Sequence, residues 1–245
     1  MTDEATGVEP KQAARNPKGK RDEIVDALLR LAARRSFADI TISDIAREAH
    51  VSLADFRDSF PSKGAALASF WRRIDREVLD HLSAEHDDEP SRERLYHVLA
   101  ARLKALEPYR DAVLAIRDWA EKEPLSAAAL NREAVNSMRF MLEAADIDSE
   151  GPVGALKLQG LAFAWTRVLD AWREDQRGET HRALSALDRE LSRGERYIDR
   201  AEDLARLAAP FTSLAGKLFE GVRGGFKPAR KSRDSDDGDH PHAEA

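Results

Sequence analysis

Two hydroxyl–carboxylate pairs stand at one spacing in this chain: Thr41 three residues before Asp44, and Ser52 three residues before Asp55. That spacing suits a reciprocal helix cap. The hydroxyl accepts from the backbone N–H three residues on, and the carboxylate accepts from the hydroxyl residue's own N–H. Cations suited to phosphate lie around the two pairs. Residues 11–21 carry Lys11, Arg15, Lys18, Lys20 and Arg21 with no acid, and Arg57 and Lys63 follow the second pair. Catalytic groupings are missing from the sequence: no Gly-rich phosphate loop, no His beside a nucleophile motif, and no helix with two His at metal spacing. His81, Glu85, His86 and Asp87 could be drawn as a metal site, but HLSAEHDDEP reads better as a charged, solvated connection. Neither metal nor cofactor is expected, and no enzyme. Cysteine is absent, which excludes disulfides, thiol catalysis, iron–sulfur clusters and thiolate zinc sites.

The elements that must position these groups are helical throughout. No stretch alternates β-branched and aromatic residues with period two, so the fold class is all-α. The 245 residues suffice for one large helical domain or two unequal ones. Arg21 to Arg35 gives a first helix, with Ile24, Leu28, Leu31 and Ala32 on one face, acids at its start and arginines at its end. After a break at residues 36–39, Thr41 opens a short helix whose apolar face is Ile42, Ile45, Ala46 and Ala49, with Ile40 able to staple onto Ile45. A turn at His50-Val51 leads to a second short helix capped by Ser52, with Phe56 and Phe60 inward and Pro61 ending it. Ser62 opens a fourth helix striped with Leu67, Phe70, Trp71, Ile74 and Val78. Two short capped helices joined by a tight turn, behind a longer supporting helix, is the layout of a helix-turn-helix; a helical hairpin inside any bundle shares that layout.

The run ITISDIAREAHVSLADFRDSFPSKGAAL, Ile40 to Leu67, resembles the signature of the TetR family of transcriptional regulators. The matching residues are Thr41, Asp44-Ile45-Ala46, Ala49, Val51-Ser52 and Phe60-Pro61-Ser62-Lys63, with Phe37 at the fitting distance after the first helix. His50 stands where the family has Gly, at a turn that demands a positive φ, and Ser36 also replaces a usual Gly. Leu53, Asp55 and Arg57, followed by Asp58, replace the family's usual recognition residues. Between Thr41 and Lys63 the acids Asp44, Glu48, Asp55 and Asp58 outnumber the bases Arg47, Arg57 and Lys63 by one. The resemblance implies a DNA-binding surface made of Lys18, Lys20, Arg21, Thr41, Ser52, Leu53, Asp55, Arg57 and Lys63. A net charge of −6 does not oppose this, because a local basic patch governs phosphate contact.

Beyond the polar connection, helices are expected at Ser91–Leu106, Tyr109–Lys122, Pro124–Ala144, Val153–Arg177 and Thr180–Arg193, the last stopping at Gly194. A final one lies within Ala201–Gly221, about ten in all. The Val153–Trp172 segment is apolar nearly all round (Leu156, Leu158, Leu161, Phe163, Trp165, Val168, Leu169, Trp172), so it must be covered on more than one side. By the resemblance this helix and the next pair with a symmetry mate, giving a homodimer interface of Leu161, Trp165, Val168, Trp172, Leu184, Leu187 and Leu191. A central helix of a monomeric bundle is the other reading. The resemblance also places a small apolar effector inside this region, with Trp119, Met138, Phe140, Met141 and Trp165 as lining candidates.

The amphipathic stretch Ala201–Phe226, followed by Lys227, Arg230, Lys231 and Arg233, is expected to dock on the protein's own domain rather than on a membrane. Around Pro108-Tyr109 and Trp172–Leu191 the chain is also weakly similar to the TetR-like lipid-binding protein of coenzyme Q biosynthesis. The expected division is a basic disordered arm (1–20), a helix-turn-helix domain (21–66), a helical effector-binding and dimerisation domain (67–226) and a disordered tail (227–245). A polar N-terminus without an apolar core is not a secretory signal, and no apolar run approaches a membrane span, so the cytoplasm is expected. Function reads as a ligand-responsive, dimeric repressor on a palindromic double-stranded operator. The alternative is a lipid- or isoprenoid-binding accessory protein that kept this fold and lost DNA binding.

Overall fold

The structure, a computed structural model, describes residues 19–82, 86 and 88–197. The chain divides into two units, Met1–Ile198 and Asp199–Ala245, and every described residue belongs to the first. Lys18, the expected helix within 201–221 and the expected tail at 227–245 lie outside the described residues.

Among these residues the fold is all-α. The helices are α1 (Lys20–Ala32), α2 (Ile42–Glu48), α3 (Leu53–Ser59), α4 (Lys63–Asp80), α5 (Ser91–Leu106), α6 (Arg110–Lys122), α7 (Pro124–Ala144) and α8 (Gly151–Glu174). A further helix, α9, covers 181–197. Short 3-10 turns occupy Phe37–Asp39 and Glu107–Tyr109. Lys20 is thus the first residue of α1 rather than the end of an arm. α1 packs on α2, α3, α4 and α6, while α4 continues from the helix-turn-helix to pack on α5 and α7. One apolar core runs from Ile24 on α1 to Leu191 on α9 without a break at residue 66.

Local chemistry explains most boundaries. Pro124 starts α7 at a position where its missing N–H costs nothing. α7 ends with Asp146 at φ 56°, the Asp146 N–H reaching Glu143 O (3.0 Å) and the Ile147 N–H reaching Leu142 O (2.9 Å), a left-handed C-terminal closure. α8 stops at Glu174, three residues before the expected Arg177, and two side chains account for this. Arg110, itself buried, donates to Trp172 O (2.6 Å) and Asp175 O (2.7 Å), taking carbonyls that a longer helix would use. The Asp175 carboxylate then accepts from the Arg182 and Ala183 N–H groups (2.9 and 3.0 Å), capping α9.

Three expectations need correction. Ile42 is 38% exposed, since position 42 begins α2 on its solvent side while Ile45, Ala46 and Ala49 fill the core. α9 does not stop at Gly194 but runs through it to Tyr197. Gly194 has open space around its Cα and the following residues are good helix formers. The interface residues expected on α8 and α9 are buried inside the single chain. Val168 and Trp172 are fully covered, Leu161, Trp165, Leu187 and Leu191 nearly so, and Leu184 is half-buried. The exposed face of α8 carries Leu156, Gly160 and Phe163 instead.

Candidate nucleic-acid interface and ligand cavity

Both expected capping boxes are present. Thr41 Oγ1 accepts from the Asp44 N–H (3.1 Å) while Asp44 Oδ2 accepts from the Thr41 N–H (3.0 Å). Ser52 Oγ accepts from the Asp55 N–H (3.0 Å) and Asp55 Oδ2 from the Ser52 N–H (3.2 Å). Between the two helices His50 sits at φ 54°, with its N–H on Arg47 O (3.2 Å) and the Val51 N–H on Ala46 O (2.9 Å). This six-to-one closure turns the chain sharply from α2 into α3. The positive φ expected from the family's Gly is therefore adopted by His.

The acids of this surface are largely engaged. Asp44 meets Arg35 (3.0 Å) and Arg47 (3.3 Å), Glu48 meets Arg30 (2.8 Å), and Asp55 meets Lys20 (2.6 Å). Hydrogen bonds from the Thr41 side chain and backbone, helped by Arg35, hold the Asp44 carboxyl down at about 2. The Lys20 ammonium, followed by Ser52, holds Asp55 down at about 2. Arg30 lowers Glu48. Three cations from α1 and the turn after it thus offset the acid excess read between Thr41 and Lys63. Among the described residues Asp58 is the acid of α2 and α3 without an ion-pair partner. The pairings with Lys20, Arg30 and Arg35 are not visible along the chain, because these partners come from α1 and the turn after it, packed across the motif.

The expected DNA-binding residues fall into three groups. Thr41, Ser52 and Asp55 are occupied in caps. Arg21 and Lys63 are tied inward: Arg21 donates to the Ser59 carbonyl with its guanidinium 4.2 Å from the Phe60 ring centre, pinning α1 to the end of α3. Lys63 donates to Phe37 O (2.6 Å) and Ile40 O (2.8 Å) over the Phe37 ring, and burial lowers its pKa. The ammonium expected to reach phosphate therefore fastens the turn ahead of α2, joining the Ile40 N–H on Phe37 O and supplying a donor to Ile40 O. Leu53, at 56% exposure, and Arg57 stand open on α3, and Arg57 makes no hydrogen bond or ion pair among the described residues. Lys20 is exposed beside them and joined to Asp55.

Of the five lining candidates, one lines the cavity. A space of about 420 Å³ opens among α4–α8, walled by Trp71, Val113, Ile116, Leu130, Trp165 and Leu169, with Arg102, Arg117, Glu121, Asn131, Glu133, Ser137 and Thr166 as its polar and charged lining. Met138 and Met141 are fully buried core, and Phe140 is 54% exposed on the outer side of α7. Trp119 packs on Phe37 with ring centres 4.6 Å apart, so it joins α6 to the helix-turn-helix instead of facing a ligand. A helix offers several faces, and periodicity alone did not tell which one meets the cavity. α6 meets both regions: Val113 and Ile116 on the cavity, Trp119 on the turn before α2.

In the connection after α4, Glu85 and Asp87 lie outside the described residues. His86 Nδ1 lies 2.9 Å from Glu89 Oε1, and His97 Nε2 3.2 Å from Glu89 Oε2. The two imidazoles stack in parallel at 3.7 Å, which sets their nitrogen lone pairs side by side rather than converging on a point. No helix among the described residues is long and apolar enough to cross a membrane.

No family model matches the chain. A curated relative, the uncharacterized HTH-type transcriptional regulator YxbF of Bacillus subtilis (strain 168), is 33% identical over 90 residues. That match covers 36% of this chain and 24% of the relative, so the chain spans about a quarter of that relative's length. Among solved structures, the TetR transcriptional regulator from Nitrosomonas europaea ATCC 19718 aligns with a TM-score of 0.55 and 25% identity, over 71% of this chain and 97% of that one. A TetR transcriptional regulator from Rhodococcus sp. RHA1 shares the fold, with a TM-score of 0.51 and 19% identity over 74% of this chain and 97% of that one. The capped helix-turn-helix, the helical region behind it and these likenesses make the chain similar to TetR-family transcriptional regulators.

Proposed function

We propose that this chain is a cytoplasmic, ligand-responsive repressor that binds a palindromic DNA operator as a homodimer. The observation that carries the reading is the recognition surface itself. α3 is capped and clamped to α1, its Asp55 is neutralised by Lys20, and its outer face offers Leu53 and Arg57, which is unpaired among the described residues. Such a helix can enter a major groove, Leu53 meeting a thymine methyl and Arg57 a phosphate or a guanine edge.

A dimer sets two such helices on successive grooves, roughly 34–36 Å apart or somewhat more. Leu156 and Phe163, 51% and 61% exposed on one stripe of α8 with Gly160 between them, form an apolar face suited to a second copy. The small Gly160 lets a neighbouring backbone approach. Ligand in the cavity presses on α6 and α4, and both lead to the recognition surface: α6 through Trp119 on Phe37, α4 through Lys63 on the carbonyls of Phe37 and Ile40.

The test is a gel-shift titration of the full chain against the DNA upstream of its own gene, at several salt concentrations. A retarded band that resists excess random duplex is the expected result. No sequence-specific shift at any salt counts against DNA binding and returns the lipid-binding accessory reading to first place. Light scattering tests the dimer: a mass near twice 27.3 kDa is expected, and Phe163→Glu should shift it to the monomer.

A further inference from the structure

The cavity among α4–α8 is mostly apolar, and Arg102 is the most deeply buried of the charged residues that line it. Arg102 is 2% exposed, yet among the described residues only its Nη1 has a hydrogen-bond partner, the Asp75 carboxylate of α4. Its Nε is buried with no acceptor, and Nη2 makes no hydrogen bond among the described residues. Asp75, by contrast, is well served, because Ser137 Oγ also donates to the same carboxylate oxygen at 2.7 Å. The guanidinium plane stands 5.6 Å from the centre of the Trp165 ring, so an aromatic wall adjoins the under-used donors.

Other charges at the cavity are accounted for near its mouth. Arg117 holds Asp170 and, at 2.9 Å, Glu121. Glu133 lies 3.8 Å from Arg132. Deep inside, Arg102 keeps unspent hydrogen-bonding capacity, and a buried N–H without an acceptor costs free energy that an incoming oxygen recovers. A planar guanidinium matches a carboxylate in particular, since two of its N–H groups can meet two oxygens side by side.

We propose that the cavity takes an amphipathic carboxylate, its apolar body between Trp165, Ile116 and Leu169 and its carboxylate on Arg102. This rests on the ligand-responsive reading above and adds the chemical class of the ligand. The carboxylate competes with Asp75 for the guanidinium. Because Asp75 belongs to α4, the helix that begins beside the recognition helix, occupancy loosens the tie between α4 and α5.

The experiment uses the full chain and three probes with one tail and different heads: decanoate, decanol and decylamine. Each is titrated by displacement of 1-anilinonaphthalene-8-sulfonate fluorescence. A charge-assisted pair inside an apolar site predicts decanoate binding about tenfold or more tighter than decanol, with decylamine no tighter than decanol. Arg102→Met should bring decanoate and decanol to within about twofold of each other. Asp75→Asn removes the competing charge and should widen the preference for decanoate. Should Arg102→Met fail to fold, the wild-type series and Asp75→Asn still decide. Equal binding of decanoate and decanol by the wild type, or an undiminished preference in folded Arg102→Met, overturns the carboxylate assignment alone. Binding of none of the three overturns it together with the reading that this cavity holds a ligand.

Discussion

Replacing Arg57 with alanine removes the sole cation of α3, Leu53–Ser59. The side chain is exposed and makes no hydrogen bond or ion pair among the described residues, so the substitution should leave the fold intact, with a stability change within about 0.5 kcal/mol. On DNA the effect should be electrostatic. Each phosphate contact contributes about 0.9 to the slope of log affinity against log salt, so a dimer that loses both copies should lose about 1.8 from that slope. Between 50 and 200 mM salt, this makes the variant's affinity fall by roughly tenfold less than the wild type's. Fluorescence anisotropy on an operator duplex and a random duplex, each at four salt concentrations, measures the slopes, and thermal melting checks the fold. Phosphate contact predicts similar losses on both duplexes. A loss of about 1–3 kcal/mol confined to one operator position would instead assign Arg57 to a guanine edge. An unchanged slope in a folded variant refutes the placement of the DNA-facing surface on α3.

Three further outcomes follow from local geometry. His50→Gly relieves the left-handed backbone at φ 54° and should stabilise the chain by about 0.5–1 kcal/mol, read by urea melts; a loss of stability would mean the His side chain contributes more than its backbone costs. Gly154→Ala would set a Cβ 2.1 Å from the Ser149 carbonyl carbon, so the start of α8 must shift, at a cost of about 1–3 kcal/mol or more; a wild-type melting curve would contradict the close approach. The carboxyls of Asp44 and Asp55 titrate at about 2 against an ordinary 3.8, so their stabilising contribution is complete above pH 4 and is lost as pH falls through 2; an NMR titration placing either carboxyl at its ordinary value would remove it.

Local chemistry was legible along the chain wherever the groups that interact are neighbours in it. Thr41 with Asp44 and Ser52 with Asp55 cap α2 and α3 as their spacing requires, and the bounds of α5 and α7 match the periodicity and the proline. Phe56 and Phe60 are inward, the first from within α3 and the second from the extended residue that ends it. The positive φ at His50 was legible only through the resemblance, which puts a Gly at that turn.

What required the tertiary structure was the choice among faces. Trp119 and Trp165 are equally greasy in sequence, yet packing sends the first to Phe37 and the second to the cavity. Lys63 looked free beside a helix start, but three-dimensional closure presents it with the carbonyls of Phe37 and Ile40, more than twenty residues earlier in the chain. α8 is apolar on nearly all sides, and only its burial by α7 and the rest of the chain separates Leu161, Val168 and Trp172, which are core, from Leu156 and Phe163, which remain open. Periodicity reports how many sides of a helix need covering; which neighbour covers each one depends on contacts between residues far apart in the chain, and those exist only once the helices have packed.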